Sequence, residues 1–230
     1  MSIQKVLKLS VAIVLATGGV SGAWADVGGP GTRRVSLDVG GAFPTPVNNF
    51  SESTRMGLVG GVQYLYNLNY FAAVGIQVDG YRFDGKEHTL NEAAGGQLNA
   101  TSQANAASFE LMGRYTFQPA ARFMPYAHAG LGANVLHQTT DGQPVAGSTW
   151  VDTNTSEARQ LPNVNSVGIT FSFGAGVETN LSDRVVLGLE AAWRILGVSK
   201  AAYGTSTLNI PSIAMRLGWR FGQEPLPPGD

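Results

Sequence analysis

Ser108-Phe109-Glu110-Leu111-Met112-Gly113-Arg114-Tyr115-Thr116-Phe117 alternates with a period of two. Successive side chains of an extended strand point to opposite faces. One face here carries Phe109, Leu111, Gly113, Tyr115 and Phe117; the other carries Ser108, Glu110, Met112, Arg114 and Thr116. An apolar, aromatic face therefore backs onto a polar one that holds both charge signs. No helical period places these residues as cleanly.

The pattern recurs along the chain. Leu187, Leu189, Ala191, Trp193 and Ile195 oppose Gly188, Glu190, Ala192 and Arg194. Ile213, Met215, Leu217, Trp219 and Phe221 oppose Ser212, Ala214, Arg216, Gly218 and Arg220. In all, strands are predicted near Arg34–Phe43, Gly57–Tyr66, Phe71–Tyr81, Ser108–Phe117, Tyr126–Leu136, Val167–Glu178, Val185–Ile195 and Pro211–Phe221. Each is about ten residues, the length with which a tilted strand crosses the hydrocarbon of a bilayer. A soluble sandwich or lipocalin-like barrel would show the same alternation with its apolar face turned inward.

Three features favour a membrane barrel. Aromatics gather toward strand ends on the apolar face (Phe43, Tyr64, Tyr66, Tyr115, Phe117, Trp219, Phe221), as an interfacial girdle does. The opposite face mixes Glu and Arg with many glycines, which suits a narrow hydrated interior. Connections alternate between short (Asn67–Asn69, Gln118–Met124, Thr179–Arg184) and long (Pro44–Arg55, Phe83–Ala107, His137–Ser166, Ser199–Ile210), the asymmetry expected of periplasmic turns and outer loops. A sheet in lipid must also close, because an open edge leaves unpaired backbone groups without water. The expected fold is an all-β, antiparallel, up-and-down transmembrane barrel of eight strands, with both chain ends in the periplasm.

Composition agrees. Only 13% of the residues are charged, glycine numbers 30, and cysteine is absent, which excludes disulfides and thiolate metal sites. Residues 1–25 read as an export signal. Lys5 and Lys8 precede an apolar run from Val11 to Ala16, and Ala23-Trp24-Ala25 sets up cleavage after Ala25. Its removal shifts the formal charge from −1 to about −3. The barrel is expected over 26–221, followed by a short periplasmic tail over 222–230. Pro225, Pro227 and Pro228 prevent that tail from extending a sheet.

The chain resembles the small OmpA-like, opacity-type outer-membrane β-barrel proteins. The resemblance rests on Pro125-Tyr126-Ala127-His128-Ala129-Gly130-Leu131-Gly132, Phe173-Gly174-Ala175-Gly176-Val177-Glu178, Leu187-Gly188-Leu189-Glu190 and Leu217-Gly218-Trp219-Arg220-Phe221. It implies that Gly218, Trp219 and Phe221 form an assembly signal read by the barrel-assembly machinery. Relatives usually end on the aromatic, whereas here Gly222–Asp230 follow. The resemblance further implies an outer-membrane address, reached by export, with membrane lipid and lipopolysaccharide as surroundings.

Strand parity turns Asp38, Gln63, Gln77, Asp79, Glu110, Arg114, His128, Asn134, Glu178, Glu190, Arg194, Arg216 and Arg220 inward. Paired acids and arginines can plug so narrow a lumen; alternatively they can line a gated or ion-selective pore. The segments Asn91–Ala107 and Thr139–Asn165 look mobile. Trp150 and Val151 in the longest loop either fold back on the rim or contact a receptor, phage or host surface. No basic run points to nucleic acid, and no cofactor motif is present. Enzymes on similar barrels modify lipid A with a serine, a histidine and an acid. His88, His128 and His137 are the histidines available, and His137 with Ser166 and Asp141 is the conceivable set. No motif fixes that geometry, and the expected role is non-enzymatic.

Overall fold

A computed structural model describes residues 28–45, 54–91, 97–144, 159–160, 164–199 and 206–222. The strands are β1 (Arg33–Ala42), β2 (Gly57–Asn67), β3 (Ala72–Phe83), β4 (Glu87–Asn91), β5 (Gln97–Thr116), β6 (Met124–Pro144), β7 (Arg159–Gln160), β8 (Val164–Asn180), β9 (Val185–Gly197) and β10 (Thr207–Phe221). All pairings between them are antiparallel, and the ring runs β5-β3-β2-β1-β10-β9-β8-β6 before closing through β5–β6. Eight strands thus form a closed barrel, as the alternation predicted. Among the described residues no helix is long and apolar enough to cross a membrane.

The alternation orients every strand of the ring. On β5, Phe109, Leu111 and Tyr115 are exposed on the outer surface, while Ser108, Glu110, Met112, Arg114 and Thr116 are buried inside. Near the short-turn end an aromatic belt forms from Tyr66, Tyr70, Phe71, Tyr115, Phe117, Phe123, Trp219 and Phe221, all outward. Phe71 stacks on Tyr115 at 6.1 Å, and Tyr115 meets Phe117 edge-on at 5.3 Å. A shell of apolar side chains on the outside of a closed sheet is the inverse of a water-soluble barrel. Its logic is that the surrounding solvent is hydrocarbon.

Short turns at Leu68–Phe71, 117–123 and Leu181–Arg184 lie at one end together with both described termini. Asn69 Oδ1 accepts the N–H groups of Phe71 and Ala72, closing the first of these turns. Ser182 Oγ does the same for Arg184 and Val185. At the C-terminus β10 stops at Phe221 because Gly222 turns the chain with φ +77. The break thus precedes the prolines of the tail, and 223–230 lie outside the described residues.

The other end departs from expectation. Gln97–Ala107, read as mobile loop, belongs to β5, and Thr139–Pro144 belongs to β6. There β4 pairs with β5, β5 with β6, and β6 with β7. A four-stranded extension therefore continues past the apolar band. Its outward residues Thr101, Asn105, His137 and Asp141 are exposed and polar, so the apolar alternation that marks a strand in lipid is lost while the pairing persists. Among the described residues β4 and β7 end the extension, and water can satisfy such an edge as hydrocarbon could not.

The glycine-rich inner face has a packing cause. A Cβ at Gly176 would stand 2.4 Å from Tyr126 Oη, one at Gly174 2.3 Å from His128 Nε2, and one at Gly188 2.8 Å from Glu178 Cγ. Bulky lumen side chains lie over glycines of the neighbouring strand. Gly176→Leu should therefore displace Tyr126 and cost about 1–3 kcal/mol, as overpacking does. Urea-unfolding midpoints in detergent micelles measure it, and an unchanged midpoint would refute this account of the glycines.

Candidate functional site

The lumen is the candidate site, and it is built in tiers. At the long-loop end, Ala42, Val59, Phe83, Ala104, Leu136, Leu196, Leu208 and Ile210 point inward and pack into a buried apolar layer, with Tyr81 beside them. The apolar layer was not foreseen, although Leu136 already had inward parity. Leu208 and Ile210 come from the four residues by which β10 extends beyond its predicted start at Pro211.

Beneath that layer Arg194 Nη2 donates to Asp79 Oδ2 at 2.8 Å, and Arg194 Nη1 donates to Ser212 Oγ at 3.1 Å. In the eight-strand ring β9 and β3 stand four places apart, so the Arg194–Asp79 bond joins opposite walls. Gln77 Nε2 donates to both oxygens of Asp79 at 3.0 Å, and Gln63 Nε2 donates to Gln77 Oε1 at 3.2 Å. Glu110 lies 3.6 Å from Arg194 Nε and accepts from Ser172 and Thr170.

The next tier centres on Arg216, which is 1% exposed. Its Nε and Nη2 donate to the two oxygens of Asp38 at 2.7 and 2.9 Å, a bidentate pair. Its Nη1 reaches Glu190 Oε2 at 2.8 Å and Tyr126 Oη at 3.0 Å. Asp38 and Arg216 are direct register partners on β1 and β10, the seam between the first and last strands. His128 Nε2 stands 3.3 Å from Glu190 Oε2.

Toward the short turns, Glu178 receives Arg34 Nη1 at 2.7 Å and both terminal nitrogens of Arg114, the Nη1 bond measuring 2.7 Å. The Arg114 guanidinium lies 3.6 Å over the Tyr126 ring, a cation–π contact. Arg220 Nη2 donates to Asn180 Oδ1 at 2.5 Å.

The structure thus places Asp38, Asp79, Glu110, Arg114, Glu178, Glu190, Arg194, Arg216 and Arg220 inside the barrel, each at most 7% exposed. The partners that the sequence reading did not name include Arg34 and Tyr126, with Thr170, Ser172, Asn180 and Ser212. Arg34 holds inward parity on β1 beside outward Arg33, so the alternation of that strand carried the signal.

Of the other residues singled out, Trp219 and Phe221 face outward and Gly218 faces the lumen, where a Cβ would stand 2.8 Å from Ser36 Oγ. Trp150, Val151 and the segment 1–25 lie outside the described residues. His137 does not meet Ser166 and Asp141 in a catalytic array. Its Nδ1 is 2.6 Å from Asn165 Oδ1 and its Nε2 is 3.3 Å from Thr139 Oγ1, while Ser166 Oγ accepts the Ser199 N–H at 2.8 Å. The side chain of His88 is not among those described. Among the described residues no group of three His, Asp or Glu side chains is placed to hold a metal.

A family profile described as the outer membrane protein beta-barrel domain matches residues 10–221. The chain belongs to that family. Membership accords with the closed antiparallel ring and implies the bacterial outer membrane as its location. No curated protein matches at a significant level. Similar solved structures include Ail, the attachment invasion locus protein of Yersinia pestis, at 11% identity and TM-score 0.46, covering 84% of this chain and 99% of that one. The outer membrane protein OprG of Pseudomonas aeruginosa is 14% identical with TM-score 0.45, covering 84% and 98%. Neisserial surface protein A is 16% identical with TM-score 0.44, covering 83% and 97%.

Proposed function

We propose that this family member is a non-conducting, non-enzymatic barrel whose lumen is plugged by its own side chains and whose long-loop end is displayed at the cell surface. The observation that carries this is the 2.8 Å Arg194–Asp79 bond between opposite walls, lying beneath an apolar layer. A hydrated ion would have to break a buried pair and then cross a tier with little to solvate it. Eight strands leave room for side chains and little more.

Short turns face the periplasm in barrels of this kind, so the β4-β5-β6-β7 extension faces outward. Polar on its outward face and held on a rigid ring, it is a platform for contact with lipopolysaccharide sugars, a receptor or a phage. Trp150 and Val151 belong to the segment joining β6 to β7 and serve that contact. Trp219 and Phe221, outward on the last strand, act as the assembly signal.

Planar-bilayer recording tests the plug. The purified protein is expected to give no discrete openings. Openings whose size changes in Arg114→Ala or Glu190→Ala would replace this reading with a narrow pore.

A further inference from the structure

Outward residues change character within one step along four neighbouring strands. Val78, Phe109, Ala133 and Ile169 stand side by side across β3, β5, β6 and β8. Gly80, Ala107, Val135 and Val167 form the next outward row toward the long-loop end. All eight are exposed, and none has a side chain that hydrogen-bonds. The row after that is Arg82, Asn105, His137 and Asn165, again in direct register and again exposed. Every member of it is polar.

Strand geometry fixes the height of this row. Tyr115, in the aromatic belt at the short-turn end, and Asn105 are ten residues apart on β5. That is a rise of about 33 Å along the strand, and about 25 Å along the barrel axis at a tilt of about 40°, the usual height of the apolar band. The row therefore lies where hydrocarbon ends and headgroups begin. Its side chains are also held in place. Gln103, with its amide oxygen turned to Arg82, accepts from Nε at 3.1 Å and from Nη2 at 3.0 Å. His137 lies between Asn165 Oδ1 at 2.6 Å and Thr139 Oγ1 at 3.3 Å. The Arg82 side chain is 66% exposed, and its 3.9 Å approach to exposed Asp84 is a surface pair of little strength. A positioned guanidinium beside amides and an imidazole matches a phosphorylated sugar: the cation takes phosphate oxygens, and the neutral groups take hydroxyls.

We propose that Arg82, Gln103, Asn105, His137 and Asn165 bind the phosphorylated sugar headgroup of an outer-leaflet glycolipid, with Arg82 on the phosphoryl group. Acyl chains of the same lipid cover the apolar rows beneath, which commits the site to a membrane lipid rather than a free sugar phosphate. The site rests on the outward orientation of the long-loop end proposed above.

The test follows the temperature at which the folded protein in amine-oxide micelles loses its compact gel mobility, as purified short-chain lipopolysaccharide is added. A ligand of the folded state raises that temperature. A saturable rise is expected, its half-saturating concentration increased about fivefold or more in Arg82→Gln. Arg33→Gln, at an exposed position on the opposite end of the barrel, should leave it unchanged. With dephosphorylated lipopolysaccharide the parent and Arg82→Gln should titrate alike. No saturable rise, equal titration of parent and Arg82→Gln by the phosphorylated lipid, or the same response to phosphatidylglycerol overturns the site. Orientation is read separately. The chain has no cysteine, so Thr101→Cys places a single thiol on the outward face of the extension. Labelling of that thiol by a membrane-impermeant maleimide on intact cells upholds the orientation, and a failed titration then strikes the headgroup site alone. A thiol reached only after the outer membrane is opened overturns the orientation, and the site with it.

Discussion

Arg216→Ala is expected to destabilise the barrel by about 3–5 kcal/mol, the usual result of removing one member of a buried ion pair. Arg216 serves Asp38 through two bonds and also reaches Glu190 and Tyr126. Its loss strands two buried carboxylates and also empties the volume of a large, fully buried side chain. Urea-unfolding midpoints in micelles, read by the shift between folded and boiled gel mobility, measure the effect. The control is Arg216→Met combined with Asp38→Asn and Glu190→Gln, which removes all three charges together. Most of the stability should return, since replacing a whole buried network is often neutral. If the single variant is as stable as the parent, the central tier is solvated and the plug reading weakens with it.

Leu111→Arg is the second large effect, acting on the opposite face of the sheet. Leu111 lies outward on β5 and is 63% exposed, between Phe109 and Gly113. A cation there faces hydrocarbon and should cost about 2–4 kcal/mol. Thr101→Arg, also outward on β5 but in the extension, should stay within about 0.5 kcal/mol, the range of ordinary surface changes. The pair of substitutions locates where the bilayer ends along a single strand. Equal costs at the two positions would mean that the apolar band does not face lipid.

Legibility followed solvent. Wherever a strand separates hydrocarbon from lumen, the two faces differ in composition and the period of two is visible, as at Ser108–Phe117 and Val185–Ile195. Beyond the apolar band the residues of β5 and β6 are small or polar apart from Leu98, and Gln97–Ala107 is hard to tell from a loop by alternation alone. The inward residues could be assigned by parity, because a one-residue error would have put Glu110 and Arg114 on the lipid side. Their pairing could not. Glu178 meets Arg34 across 144 positions of the chain and Arg114 across 64, on strands that are not neighbours in the ring. Such contacts depend on curvature and side-chain reach, which the local pattern does not encode. Glycine inside a strand marks a bend or close packing, and Gly40 and Gly61 lie within β1 and β2. A Cβ would stand 2.0 Å from Ile213 O at Gly40 and 2.2 Å from Asp79 Oδ1 at Gly61, so close packing is the cause at both.

The Asp38–Arg216 pair marks the native register of the closing seam. The two residues sit directly opposite each other where the first strand meets the last, 178 positions apart in the chain. A slip of one residue at that seam would turn every side chain of a strand to the wrong solvent. A slip of two keeps the faces correct and would pass any check based on hydrophobicity. It would, however, set Asp38 against Ala214 or Gly218, which offer a carboxylate nothing. Asp38 would then be left unmatched inside the barrel, and Arg216 would keep only Glu190 as a carboxylate partner. Closure in the native register is thus the arrangement in which Asp38 and Arg216 meet across the seam.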